Sequence, residues 1–90
     1  MLYMVIERFK PGAAVTIYRR AKEQGRLLPG GLEYVNSWVD LNFTTCYQLM
    51  QTEREELFAE WFNHWQDLVD FELVPVRTGA EAALLMAAKS

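Results

Sequence analysis

Two runs rich in β-branched and aromatic side chains, LEYVNSWVDL (32–41) and FTTCYQLM (43–50), stand with a single asparagine between them. Runs of this kind, so closely spaced, pair as an antiparallel hairpin that turns near Asp40 to Asn42. A lone hairpin is marginal in water, so its apolar side chains need more strands or a covering helix. The chain supplies both, once before the hairpin and once after it.

On the N-terminal side, LYMVIERF (2–9) is a short apolar strand that stops at Lys10-Pro11-Gly12. From Ala13 to Gln24 the apolar positions Ala14, Ile17, Tyr18 and Ala21 recur at helical spacing. Gly25 is the natural terminator of that helix, and Pro29-Gly30-Gly31 marks a loop. On the C-terminal side, Thr52-Glu53-Arg54-Glu55 has the form of a capping box, predicting a helix from there to about Asp67 or Leu68. DFELVPV (70–76) is a fourth strand, which Pro75 confines to an edge or to its own end. Thr78-Gly79-Ala80-Glu81 repeats the capping box and opens a short alanine-rich C-terminal helix.

The order is β-α-β-β-α-β with a tail helix, one α+β domain spanning residues 1–90. Right-handed crossovers put the first strand between the third and the fourth. The expected fold is ferredoxin-like, an antiparallel sheet ordered 4-1-3-2 with both main helices on one face.

Charge and cysteine usage remove several classes of function. The formal net charge is −3, so a basic nucleic-acid face is not expected. The one basic cluster, Arg19-Arg20-Ala21-Lys22, is followed directly by Glu23 and reads as a solvated helix face. Cys46 and His64 each occur once, leaving no intrachain disulfide and no recognisable metal-ligand spacing. No cofactor and no metal are expected. No stretch approaches the roughly 20 apolar residues of a membrane span, and the first six residues are too short for a signal sequence. A soluble cytoplasmic protein is the expectation.

Two aromatic-rich surfaces remain. On a helical wheel Leu57, Phe58, Trp61, Phe62, Trp65, Leu68 and Val69 share one arc of about 140°. The tryptophans therefore face the core, and His64 sits at the rim. Strand alternation gives a second division. Leu2, Met4, Ile6, Val35, Ser37, Val39, Tyr47, Leu49, Phe71 and Leu73 form an almost wholly apolar set expected beneath the helices. Tyr3, Val5, Glu7, Tyr34, Asn36, Trp38, Cys46, Gln48, Met50, Glu72 and Val74 form a mixed set expected on the uncovered face. A four-stranded face of roughly 400 Å² carrying large aromatics is more than a monomer ordinarily leaves in water, so a homodimer is expected.

The segments LYMVIERFK, GLEYVNSWVD and EWFNHWQDLVDFELVPV resemble a bacterial family of unknown function, number 3303 among such domains. The resemblance covers nearly the whole chain. It implies membership of the dimeric α/β-barrel group, in which two sheets enclose or flank a ligand cavity. Wider relatives include small monooxygenases, isomerases, haem-degrading enzymes and ligand-sensing domains. Haem-degrading relatives carry an asparagine on the first strand, where this chain has Tyr3 to Phe9 and none.

The uncovered face is then the expected site. Glu7 and Glu72, on adjacent antiparallel strands, are the acid/base candidates, since repelling carboxylates raise one pKa. Tyr3, Tyr34 and Trp38 would be apolar walls, Asn36 and Gln48 would orient the ligand, and Cys46 lies beside them. The alternative is that both glutamates pair with arginines, with Arg8, Arg54 and Arg77 as donors. The functional expectation is a homodimer binding a small organic molecule between its sheets, with isomerase- or monooxygenase-like acid/base chemistry. The alternatives are a non-enzymatic sensing or interaction module, and a partner-binding protein that exposes Leu84-Leu85-Met86.

Overall fold

A computed structural model describes residues 1–89. The elements are β1 (Leu2–Phe9), α1 (Ala14–Gln24), β2 (Glu33–Val39), β3 (Thr45–Gln51), α2 (Leu57–Phe62), β4 (Val69–Val76) and α3 (Gly79–Ala87). They occur in the expected order. The sheet is antiparallel throughout and ordered β2-β3-β1-β4, the expected arrangement read from its other edge.

Local chemistry sets the ends of these elements. α1 stops at Gly25, whose positive φ of 73° lets its N–H turn back to the Ala21 carbonyl at 2.8 Å. In the hairpin turn the Asp40 carboxylate accepts from the Thr44 hydroxyl at 2.6 Å and from the Thr44 and Thr45 amides at 2.7 and 2.8 Å. These bonds hold its pKa below the usual carboxylate range, the Thr44 hydroxyl contributing most. The Thr78 hydroxyl accepts from the Glu81 amide at 3.1 Å and starts α3 as anticipated.

The capping box at Thr52 does not form. Its hydroxyl points inward, donating to the Gly31 carbonyl at 2.8 Å and accepting from the Arg54 amide at 3.0 Å. Thr52 is buried, and the hydroxyl ties the loop before β2 to the entry of α2 instead of capping a first helical turn. Regular helix begins only at Leu57 and lasts six residues. Turns carry residues 63–68 to β4, and amide bonds from Gln66 to Phe62 and from Val69 to Trp65 preserve the helical sense. Trp65 thus stays on the buried face beyond the end of the helix.

The apolar arc read from the wheel is the core. Leu57, Phe58, Trp61 and Trp65 pack on Tyr3, Val5 and Met50 of the sheet. Phe58 meets the Tyr3 ring edge-on with centroids 5.0 Å apart, and Phe62 stacks on Phe71 at 4.0 Å. His64 is exposed at the rim, as its wheel position required. Arg20 secures α1 to this region with a bidentate pair to Asp67 (2.9 and 2.7 Å) and a bond to the His64 carbonyl at 2.8 Å.

The face assignment is corrected on β1 and β3. Tyr3, Val5, Cys46, Gln48 and Met50 are buried beneath the helices, and Leu2, Met4, Ile6, Tyr47 and Leu49 line the other side. On β4 the assignment holds: Phe71 and Leu73 contact the core, and Glu72 lies outward. A bulge at Val35 breaks the alternation of β2. Tyr34 pairs with Met50 on the helix side, whereas Asn36 and Trp38 pair with Leu49 and Tyr47 on the open side. The physical cause is that β1 and β3 carry apolar side chains on both faces. Burial under the aromatic arc selected the set that holds Tyr3 and Met50.

Candidate functional site

The uncovered sheet face does not assemble the expected pair of carboxylates. Glu7 stands opposite Phe71, and Glu72 stands opposite Ile6, so the two glutamates project from opposite faces. Glu72 instead pairs with Arg8 at 2.9 Å, one of the arginines anticipated as its partner. Trp38 and Asn36 are on the open face, away from Glu7. Tyr3 is a core residue packed on Phe58.

Glu7, Cys46 and Gln48 are brought together, but under the helices. They lie on the wall of a cavity of about 430 Å³ between the sheet and α1. Its floor is built by register: Glu7 faces Cys46 across β1 and β3, and Gln48 and Cys46 face Ser37 and Val39 across β3 and β2. Ile17, Tyr18, Ala21 and Lys22 of α1 form the roof, because their helical spacing puts them on one side. Trp61 and Trp65 also line it, and Arg26, in the loop after α1, lies beside them. The volume is in the range that encloses small organic ligands.

Among the described residues, two buried polar atoms in this wall find no hydrogen-bond partner: Oε2 of Glu7 and Nε2 of Gln48. Each such group costs about 1–3 kcal/mol to leave unsatisfied. Native structures hold few of these, and two on one cavity wall make it the candidate site. Burial pushes the Glu7 carboxyl up to about 7, against a hydrogen bond from Cys46 and the positive charge of Arg26, which both pull it down. The same burial, reinforced by Glu7, pushes the Cys46 thiol up to about 12. Cys46 is therefore a protonated donor to Glu7 and not a nucleophile at neutral pH.

Arg26 is positioned by its backbone. Its carbonyl accepts from Nε1 of Trp61 at 2.9 Å and from Nε1 of Trp65 at 3.0 Å. Its guanidinium lies 3.7 Å from the centre of the Tyr34 ring, and the Tyr34 hydroxyl bonds the Ser37 hydroxyl at 2.8 Å. Tyr34 thus reaches the site through Arg26 and Ser37, on the face opposite to the one expected.

Sequence reasoning missed Tyr18, Lys22, Arg26 and the wall-forming role of the two tryptophans. The tryptophans and Tyr18 carry a signal, being aromatic residues at helical spacing, but that signal reads equally as core. Arg26 has no local signal, because it enters the site only through long-range bonds from Trp61 and Trp65. Among the described residues no group of three potential metal ligands gathers.

Residues 1–90 match the model of a domain of unknown function (DUF3303), and the chain belongs to that family. No curated protein and no solved structure matches it.

Proposed function

We propose, with membership of a family of unknown function as the premise, that this protein binds a small organic molecule in the cavity between its sheet and α1. Glu7 is its proton-exchanging group. The observation that carries this reading is the pair of unpartnered buried atoms, Glu7 Oε2 and Gln48 Nε2, on one cavity wall. A carboxyl that titrates near 7 is present in both protonation states at neutral pH. It can take a proton from one atom of a ligand and return it to another. The Gln48 amide donates to the oxygen on which negative charge gathers as the proton leaves. The earlier expectation of a ligand between two sheets is replaced by one held within each subunit.

The open sheet face supports a homodimer as the working form. It presents Leu2, Met4, Ile6, Trp38, Tyr47 and Leu49, with Trp38 51% and Tyr47 41% exposed. Two such faces of roughly 400 Å² each remove on the order of 800 Å² from water, a gross gain near 20 kcal/mol. Association costs of about 4–15 kcal/mol and the desolvation of Arg8, Asn36 and Glu72 on the same face reduce this gain.

The test is a ligand screen read at Gln48. Its side-chain NH₂ resonances shift when a compound enters the cavity, and Ala21→Trp, which fills the roof, abolishes the shift. Compounds that move only Trp38 and Tyr47, or no compound at all, would refute the cavity reading. Exchange of a ligand C–H in heavy water that persists in Glu7→Gln would refute the role of Glu7. Sedimentation velocity addresses the dimer: Trp38→Glu is expected to give a monomer, and a monomeric parent protein would overturn the open-face association.

A further inference from the structure

The cavity wall is charged in a way that opposes the molecule as a whole. The chain carries a net charge of −3, yet the wall carries two cations, Lys22 and Arg26, against one carboxyl, Glu7. Among the described residues neither cation pairs with a carboxylate. The guanidinium of Arg26 rests on the Tyr34 ring, which holds it in place without neutralising it. Its backbone is held by both indole N–H groups, so the residue stays beside the two tryptophans. Those N–H groups are already engaged, and the indoles offer the cavity apolar surface only.

We infer that the ligand is a small organic anion, a carboxylate on a planar or aromatic body, whose charged end lies at Lys22 and Arg26. Its other end, a carbonyl or hydroxyl, meets Glu7 and Gln48. This rests on the cavity reading above and adds the ligand's charge and direction. Three features of the site fit it. Ile17 and Ala21 of α1, with the bordering Trp61 and Trp65, give the lining an apolar part against which a ring packs. Gln48, only 6% exposed, donates through an amide nitrogen that has no other acceptor. A protonated Glu7 donates to the same ligand oxygen, and an ionised one accepts from a hydroxyl. Both cations are exposed to solvent as well as to the cavity, so an anion gains an attraction that a neutral ligand lacks, and a cationic one would be repelled.

The experiment compares matched acids and esters on the full chain. Phenylpyruvate, 4-hydroxybenzoate and their methyl esters are titrated by calorimetry, with the Gln48 side-chain NH₂ resonances locating the binding. The acids are expected to bind several-fold more tightly than their esters, since solvent screens a charge contact to the exposed Lys22 and Arg26. Arg26→Gln is expected to lower acid affinity to that of the ester while leaving the ester unchanged. Lys22→Gln, on the helix surface, does the same in smaller measure and covers the case in which Arg26→Gln perturbs the loop. Esters that bind as tightly as acids, or acids indifferent to both substitutions, would overturn the anion inference and leave the cavity reading intact. If neither acids nor esters move Gln48, both fall.

Discussion

Replacing Glu7 by glutamine removes the ionisation and keeps the shape, so the variant isolates the cost of burying this carboxyl. Glu7 rises from 4.5 to about 7 on folding because burial penalises its charged form. Between those values the folded protein holds a proton that the unfolded chain has released, so stability falls as pH rises through this window. The direction is opposite to that of a salt-bridged carboxylate. Integrated from pH 5 to pH 8, the loss is about 2.5 kcal/mol. For a domain of this size that is roughly 10–20 °C in melting temperature. Asp40, Glu56 and Asp67, whose pKa values are lowered, contribute stability that is lost only as pH falls through their own range, below this window. Melting followed by circular dichroism at pH 5, 6, 7 and 8 should show the decline in the parent protein and a nearly flat profile in Glu7→Gln. An equal decline in both proteins would mean that Glu7 is hydrated in the folded state, and the argument for its role as acid and base would fail.

Other perturbations test the scaffold around the site. Thr52→Val leaves the Gly31 carbonyl and the Arg54 amide without their buried partner, and should cost about 1–3 kcal/mol in urea denaturation. Gly31→Ala places a methyl 3.2 Å from Leu57 Cδ1 at a φ of +96°, and a loss of about 1–2 kcal/mol is expected by the same assay. Trp61→Phe and Trp65→Phe each leave the Arg26 carbonyl one indole donor. The double variant removes both and should cost more than the two single losses together, which a double-mutant cycle measures.

Much of the architecture was legible locally. The hairpin, the strand before it, the proline-marked strand after it and the Thr78 capping box each rest on chemistry within a few residues. The aromatic arc of Leu57, Phe58, Trp61 and Trp65 was likewise readable, because helical periodicity alone puts these residues on one side. The Thr52 box failed for a long-range reason: its hydroxyl found the carbonyl of Gly31, twenty-one residues earlier in the chain, before it could cap a helix. The candidate site was legible in part. Glu7, Cys46 and Gln48 were singled out as polar residues in apolar strands, and they do gather. Their partners were not visible, since Arg26 and Tyr18 come from a loop and a helix that the strand pattern does not address.

By itself the sequence determined the order of elements, the topology of the sheet and which residues of α2 enter the core, because periods of 2 and 3.6 residues act over short distances. Only the tertiary structure decided which face of β1 and β3 the helices cover. Leu2, Met4 and Ile6 are as apolar as Tyr3 and Val5, so hydrophobicity leaves the two faces nearly equal. The choice fell to shape, with Tyr3 meeting Phe58 and Met50 filling the space beneath the aromatic arc. That choice carried Glu7 and Gln48 inward, onto the wall of the cavity beneath α1.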